Sequence, residues 1–286
     1  MQREFAFTKH DFDRVRDLIY RHAGIRLKDS KEHMVYSRLA RRLRATGKTS
    51  CSAYLAHAEA DADEWQNFVN ALTTNLTAFF REPHHFAILS DYLNQIKDVA
   101  RRRPIAIWCA AASSGEEAYS IAITVADFFG SLTPPVRIFA TDIDTQVLAR
   151  AEQGVYTAER VQKLPPDMLK RYFLNGQGAN QGRVKIRREL RRLITFRELN
   201  LLADQWKIHS QFDAIFCRNV MIYFDKPTQY RILQRFEPLL RPEGLLFAGH
   251  SENFHHAAEL FKPCGKTVYR RTKLIDMPAR GELNHA

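Results

Sequence analysis

Three apolar runs that end abruptly in polar residues constrain the fold of this chain more than any other feature. The segment Phe212 to Phe224 carries an aromatic and branched run that stops at Arg218-Asn219. Ile105 to Ala112 runs into Ser113-Ser-Gly-Glu-Glu117, and Val136 to Ala140 runs into an acidic stretch. Such runs are typical of buried parallel strands, whose carboxyl ends present polar groups to a ligand. The pattern predicts a nucleotide-type cleft in an α/β domain.

The alternation of strand-like and helix-like segments from about residue 84 predicts a parallel, doubly wound sheet. Strands are expected at 105–111, 136–141, 194–199, 212–218 and 244–250, with an edge strand at 266–271. Helices are expected at 84–99, 116–129, 144–152 and 226–240. The four residues Arg241-Pro-Glu-Gly244 are read as a turn that precedes the last of the five strands.

The first quarter of the chain predicts an all-α domain. Lys9 to His22 places apolar side chains on one face at helical spacing, and Gly24 ends that helix. Farther along, a glycine-rich turn at 175–182 predicts a small β insertion. We expect a helical domain at 1–72 and a connector at 73–90. An α/β domain should follow at 91–286, with the β insertion at about 155–192.

Composition places the chain among water-soluble proteins with an acidic partner. Hydrophobic residues make up 45% of the 286 positions, and the net charge is +11. No apolar run approaches the ~20 residues that a membrane span needs, and the amino terminus lacks the apolar core of a signal peptide. We therefore expect a cytoplasmic protein with no membrane insertion.

The positive charge is concentrated in two places. Between Val155 and Arg197, eleven Lys and Arg residues stand against three acids. A second cluster lies in a predicted helix at 31–46 and consists of Arg38, Arg41, Arg42 and Arg44. Such a cluster is either a solvated helix face or a docking surface for an acidic partner.

The loop Ala110 to Glu117 lies between a strand and a helix, where small side chains let a nucleotide approach the backbone. It lacks the lysine of a phosphate-binding loop, and its two acids would repel a pyrophosphate. A cationic, phosphate-free ligand such as S-adenosylmethionine fits better, although an ordinary turn remains an alternative. Asp142 is a candidate to accept hydrogen bonds from ribose hydroxyls. The competing role is to cap the next helix, for which Asp144 is better placed.

No pattern indicates a metal site. The histidines occur as His84-His85, His250 and His255-His256, without the spacing of metal ligands. Four scattered cysteines contain no Cys-x-x-Cys pair, so a zinc site or a disulfide framework is not expected. The chain also lacks the Gly-x-Ser-x-Gly turn of serine hydrolases.

Taken together, five segments in this order resemble the chemotaxis receptor methyltransferases of the CheR family. The segments are Asn70–Glu82, Ala110–Ile123, Ala140–Asp144, Phe212–Phe224 and Leu245–Asn253. The resemblance spans nearly the whole chain and implies a Rossmann-like S-adenosylmethionine methyltransferase domain. It also implies the preceding helical domain and the small β insertion.

The resemblance further implies methyl transfer from S-adenosylmethionine to glutamate side chains of chemoreceptors, which yields glutamyl methyl esters and S-adenosylhomocysteine. The implied cofactor contacts are Asn75, Thr77, Arg81, Glu117, Asp142, Asn200, Leu201, Arg218 and Asn219. Arg81 and Tyr223 match positions near the transferred methyl group and are the candidate catalytic residues. In some members of the family, the β insertion grips a peptide at the receptor carboxyl terminus.

The residues agree with this chemistry. A glutamate carboxylate, with a reference pKa of about 4.3, is already ionised at neutral pH and needs neither a general base nor a metal. The sulfonium of the cofactor supplies the electrophile. The helix at 31–46 is then the candidate receptor-docking face, and nothing in the sequence demands a dimer.

Two other functions remain as alternatives. A nucleic-acid methyltransferase would suit the positive charge, but the chain lacks the Asn-Pro-Pro-Tyr or Asp-Pro-Pro-Tyr tetrapeptide of amino-methylating enzymes, and no nucleic-acid partner is expected. A non-catalytic module that binds cofactor or receptor without turnover is the second alternative. Against it stands the complete set of candidate residues, Asn75, Arg81, Asp142, Asn219 and Tyr223.

Overall fold

The computed structural model describes residues 3–272, so the outer ends of the predicted first and last domains lie outside it. Helices α1 to α11 are Lys9–Ala23, Glu32–Thr46, Cys51–Ala60, Ala62–Leu72, His84–Ile96, Glu116–Phe129, Thr145–Gln153, Ala158–Val161, Pro166–Tyr172, Arg188–Arg191 and Lys226–Leu239. Strands β1 to β10 are Ile105–Cys109, Val136–Asp142, Val155–Thr157, Phe173–Asn175, Arg183–Ile186, Ile194–Glu198, Phe212–Phe216, Leu240–Phe247, Phe261–Gly265 and Val268–Arg271. Short 3-10 helices lie at Asp29–Lys31, Lys97–Arg101, Gly178–Asn180, Met221–Tyr223 and His255–Ala257.

Helices α1 to α4 form the predicted all-α part around one apolar core. In α1, Phe12, Val15 and Ile19 are buried on one face, as the helical spacing predicts. Thr8 begins this helix with a capping box, in which its hydroxyl accepts from the Asp11 N–H. Gly24 ends it in the left-handed conformation, with φ of 66°.

Helix α2 carries the basic cluster, but two of its four arginines serve the fold. The Arg38 guanidinium is half-buried and donates to the carbonyls of Ala71 and Thr73, 3.2 and 2.5 Å away. The Arg42 guanidinium pairs with Glu64, whose side chain is only 8% exposed. Arg38 and Arg42 are therefore not free surface cations, which corrects their expected availability for docking. Arg41 and Arg44 are exposed.

The main sheet has seven strands in the order β6-β2-β1-β7-β8-β10-β9. β6, β2, β1, β7 and β8 are parallel, and β10 and β9 are antiparallel. Helices α5 and α6 pack on one face and α11 on the other, so the doubly wound α/β class is confirmed. The chain leaves β1 toward β2 on one side and returns as β7 on the other. This reversal of strand order opens a crevice at the carboxyl ends of β1 and β7.

The last strands differ from the sequence prediction. β8 begins at Leu240, and its pairing with β7 shifts between Phe212 and Ala214, where Arg241-Pro-Glu-Gly244 loops out of register. The predicted turn is thus an irregularity inside a strand. The predicted edge strand at 266–271 pairs on both sides as β10, and β9 is the edge. β9 escaped prediction because its sequence, Phe261-Lys-Pro-Cys-Gly265, has no regular apolar alternation.

The β insertion is a separate antiparallel sheet in the order β3-β5-β4. In β5, Val184 and Ile186 are buried against the main domain, whereas Arg183 and Lys185 face outward. The alternation explains why this basic segment can fold, because its charges remain solvated. Within residues 3–272, no helix is long and apolar enough to cross a membrane.

We predict that Arg42→Ala lowers the free energy of unfolding by about 3 kcal/mol, because it leaves Glu64 buried without its counter-charge. Tyr54 also donates to Glu64, 2.8 Å away, and cannot replace a cation. Urea unfolding measures the effect. Arg41→Ala is the matched control, because Arg41 is the neighbouring residue on α2 and is exposed. Its free energy of unfolding should stay within about 0.5 kcal/mol of that of the parent chain. Equal stabilities of the two variants would contradict the structural role of Arg42.

Candidate functional site

A cavity of about 200 Å³ lies in the crevice at the carboxyl ends of β1, β2 and β7. The segment between α4 and α5 and the turn between α1 and α2 close it from above. The structure brings every predicted cofactor and catalytic residue to its wall: Asn75, Thr77, Arg81, Glu117, Asp142, Asn200, Leu201, Arg218, Asn219 and Tyr223. The four arginines of α2 are not among its lining residues.

Arg218 occupies the centre of the polar wall. It follows β7, its side chain is fully buried, and it donates to Glu117 Oε2 at 2.6 Å and to the Arg81 carbonyl at 2.6 Å. Its guanidinium also lies 3.2 Å from Glu82 Oε2. Burial raises the pKa of Glu117, and the Arg218 charge opposes that rise. One cation thus joins the sheet, helix α6 and the segment above the cavity.

Glu82 is the acid that holds this segment in place. Its Oε1 accepts from the Asn219 amide at 3.2 Å and lies 3.1 Å from the His250 ring. Burial acts to raise the pKa of Glu82, but the Arg218 charge and these hydrogen bonds prevail and lower it to about 2. Glu82 therefore stays ionised at neutral pH.

Asp142 lies at the end of β2 with 8% of its surface exposed. Its two carboxylate oxygens accept from the backbone N–H groups of Ser113 and Asp144, 2.7 and 2.9 Å away. Burial raises the pKa of Asp142 to about 6, although these N–H groups oppose the rise. Asp144 caps α7, as predicted, and Asp142 lines the cavity.

The segment between α4 and α5 is fixed by hydrogen bonds to the α/β part. The Asn75 amide donates to Asp144 Oδ2 at 2.7 Å, and the Phe80 N–H donates to the Ser120 hydroxyl at 2.9 Å. The Thr77 carbonyl accepts from Arg160 at 3.2 Å. Phe80 and Glu82 have positive φ angles of 50° and 56°, which are unusual for residues other than glycine.

Asn200 and Leu201 form the wall nearest the helical part. The Asn200 amide donates to the His22 carbonyl at 2.7 Å, and its oxygen accepts from the Leu202 N–H at 2.9 Å. Leu201 is 7% exposed and offers an apolar surface to the cavity. An apolar side chain beside a fixed amide suits a flat, partly polar ring.

Arg81 and Tyr223 line the cavity and keep unused hydrogen-bond donors. Both are half-buried, and Arg81 donates to the Leu76 carbonyl at 2.9 Å. Within residues 3–272, the Tyr223 hydroxyl and the remaining donors of Arg81 have no hydrogen bond, so they are available to a ligand.

Sequence reasoning missed Glu252, which shapes the wall without lining it. Its carboxylate is 4% exposed and accepts from the N–H groups of Asn219, Gly249 and Ile222. Burial raises the pKa of Glu252, and these donors oppose the rise. It lies in the quoted segment Leu245–Asn253, but only the fold reveals that the acid serves the backbone after β7.

One cluster of possible metal ligands adjoins the cavity. Glu82, His84 and His85 place ligand atoms within 4.8 Å of one another. The Arg218 guanidinium, 3.2 Å from Glu82 Oε2, would repel a cation there. The cluster is therefore better explained as part of the buried ion network, and the expectation of no metal stays a prediction.

The order of the strands and the cavity at their carboxyl ends are those of a nucleotide-type α/β domain, and a family model places that domain in the class of S-adenosylmethionine-dependent methyltransferases. The chain matches the family model "CheR methyltransferase, SAM binding domain" over residues 75–270. It also matches "CheR methyltransferase, all-alpha domain" over residues 10–73. The chain belongs to the CheR methyltransferase family, as the sequence motifs predicted.

Named relatives agree over nearly their full lengths. "Chemotaxis protein methyltransferase 2" of Pseudomonas aeruginosa is 56% identical over 93% of this chain and 94% of its own. "Chemotaxis protein methyltransferase" of Klebsiella aerogenes is 53% identical over 96% of this chain and 93% of its own. The protein of the same name from Escherichia coli is 51% identical over 96% and 94%.

We predict that Glu252→Gln lowers the free energy of unfolding by about 1–3 kcal/mol, because an amide N–H₂ then faces buried N–H donors. Urea unfolding measures the loss, and methyl-transfer activity should fall with it since Asn219 is displaced. Glu243→Gln, at a side chain that is 72% exposed, is the control and should change neither. If Glu252→Gln unfolded at the same urea concentration as the parent chain, the carboxylate would not be organising this wall.

Proposed function

We propose that this protein transfers the methyl group of S-adenosylmethionine to glutamate side chains of chemoreceptors in the cytoplasm. The products are glutamyl methyl esters and S-adenosylhomocysteine. The observation that carries the proposal is that one cavity gathers the polar groups at the strand ends together with Arg81 and Tyr223. The chemistry of that wall and the relatives' shared name, chemotaxis protein methyltransferase, support the same function.

The residues of the wall fit the cofactor. Asp142 is a buried carboxylate that faces the cavity, and its free lone pairs can accept from two ribose hydroxyls. Glu117 and Asp142 bring negative charge, which suits a ligand with a sulfonium and an amino group. Asn200 and Leu201 would bound the ring end of the cofactor, and Asn75, Thr77, Arg218 and Asn219 the remainder.

The cofactor supplies an electrophilic methyl group when bound, and the protein aligns the nucleophile with it. A glutamate carboxylate, with a pKa of about 4.3, needs no base. Correct alignment of the two reactants contributes about 7–11 kcal/mol to lowering the barrier. Arg81 orients the carboxylate with one of its free donors, and the Tyr223 hydroxyl holds it by a second hydrogen bond. The reaction needs no metal.

Receptor recognition uses surfaces outside the cavity. Arg41 and Arg44 on α2 are exposed cations that can meet an acidic receptor helix. The outward face of the β insertion, with Arg183 and Lys185, is a second basic surface and a candidate for a receptor carboxyl-terminal peptide. We further propose that the protein acts as a monomer and divides into domains at 1–72, 73–90 and 91–286, with the insertion at about 155–192.

Two alternative functions give different outcomes in one assay. Label from S-adenosylmethionine is followed on a chemoreceptor cytoplasmic fragment and on RNA or DNA. We expect alkali-labile label on the receptor, released as volatile methanol and lost when the receptor glutamates become alanine. Stable label on nucleic acid would support a nucleic-acid methyltransferase. Cofactor binding without transfer to any acceptor would support the non-catalytic module.

We predict that S-adenosylmethionine binds more weakly as the pH falls through about 6, the raised pKa of Asp142. A raised pKa means that the carboxyl is protonated below this value in the free protein, and a protonated carboxyl accepts one ribose hydroxyl fewer. The dissociation constant should then rise by up to about tenfold per pH unit.

Titration calorimetry between about pH 5 and pH 8 measures this dependence. Asp142→Asn, which cannot ionise, should bind more weakly by about 1–3 kcal/mol at neutral pH and lose the pH dependence. A wild-type dissociation constant that stays flat through pH 6, or an unchanged constant in Asp142→Asn, would remove Asp142 from the ribose site.

A further inference from the structure

The helical part supplies one wall of the cavity through the turn between α1 and α2. The lining residues from the end of α1 to the start of α2 are Ala23, Ile25, Arg26, Leu27, Lys31 and Met34. The turn is held tightly, because a Cβ on Gly24 would lie 2.7 Å from Leu202 Cδ2. The Arg26 N–H donates to the Tyr223 carbonyl at 3.2 Å. This bond fixes the backbone of Arg26 beside the candidate catalytic Tyr223.

The charges on the cavity wall are unequally compensated. Arg218 is paired with Glu117 and Glu82, and the oxygens of Asp142 accept backbone N–H groups. Within residues 3–272, by contrast, no acid lies within ion-pair distance of the other lining cations, which are Arg26, Lys31 and Arg81.

Arg26 is exposed and lines the cavity, and its side chain has no hydrogen bond in the described part of the chain. Asp225 is the acid whose charge Arg26 acts on, but it lies beyond ion-pair distance and accepts from the Tyr20 hydroxyl at 2.5 Å and the Thr228 N–H at 2.9 Å. Asp225 therefore offsets part of the Arg26 charge, and the guanidinium keeps free donors that can meet an anionic group of the substrate.

We infer that Arg26 is a specificity-determining residue that draws the ionised glutamate carboxylate to the mouth of the cavity and discriminates against the uncharged glutamine amide. The inference rests on the proposed function. Its residue was not among the site residues predicted from the sequence, because only the fold places the α1–α2 turn beside Tyr223.

The charge balance of the reaction means that Arg26 attracts the substrate but not the product. One carboxylate oxygen forms a bond to the methyl carbon while the carbon–sulfur bond breaks, and its electron pair goes to sulfur. The negative carboxylate and the positive sulfonium become a neutral ester and a neutral thioether, without a proton or a further reactant. The ester has no charge for Arg26 to attract, so the same cation that recruits substrate favours release of product.

The test is steady-state methyl transfer by Arg26→Gln to a chemoreceptor cytoplasmic fragment, with a glutamine-substituted fragment as competing inhibitor. We expect the KM for the receptor to rise about tenfold, with a weaker dependence on salt, because a charge at the rim acts on association. The kcat and the dissociation constant of S-adenosylmethionine should change less than about twofold. Arg26→Lys keeps the positive charge, so its KM for the receptor should stay close to that of the parent chain.

Lys28→Gln is the matched control, since Lys28 is exposed on the same turn but does not line the cavity. We expect the preference of the enzyme for the glutamate fragment over the glutamine fragment to collapse in Arg26→Gln and to persist in Lys28→Gln. Equal KM values for these two variants, or an unchanged preference in Arg26→Gln, would overturn the inference while leaving the proposed function intact. Failure of the wild-type protein to methylate the fragment would overturn the proposed function itself.

Discussion

The buried guanidinium of Arg218 is the interaction on which the rest of the site depends. It is fully desolvated, and this penalty is offset only because it reaches the acids Glu117 and Glu82 together with the Arg81 carbonyl. These partners belong to the sheet domain on one side and to the segment above the cavity on the other. Removal of the cation would leave two buried carboxylates and would release that segment. The charged cluster thus holds these two parts of the chain together.

The backbone around this cluster is held in conformations that it would not adopt alone. Phe80, Glu82, Ser113 and Asn219 all have positive φ, from 50° to 58°. Each such residue stores about 1–3 kcal/mol of strain, which the surrounding contacts must overcome. Glu252 provides part of that restraint by accepting three backbone N–H groups near Asn219. The polar wall is therefore preorganised before any ligand arrives, as expected of a site that works by alignment.

Local sequence patterns predicted the strands of the cleft, because an apolar run followed by polar residues is visible within a dozen positions. That Asp144 caps α7 could also be anticipated, since capping depends on the next few residues. The roles of Arg38 and Arg42 could not, because their partners Thr73 and Glu64 lie 35 and 22 positions away. The motifs of the CheR family identified the lining residues, whereas Arg26 and Glu252 emerged only from the folded chain.

The chemistry follows from this arrangement, because an already ionised carboxylate needs only to be held in line with an electrophilic methyl group. No proton moves, so the rate of transfer should not depend on the ionisation of any protein side chain near neutrality. The most direct test is the single-turnover rate of methyl transfer to a receptor fragment at saturating S-adenosylmethionine, measured between about pH 6.5 and pH 9. Alignment without proton transfer predicts a flat profile. A rate that climbs about tenfold per pH unit through this range would require a general base and would contradict the account.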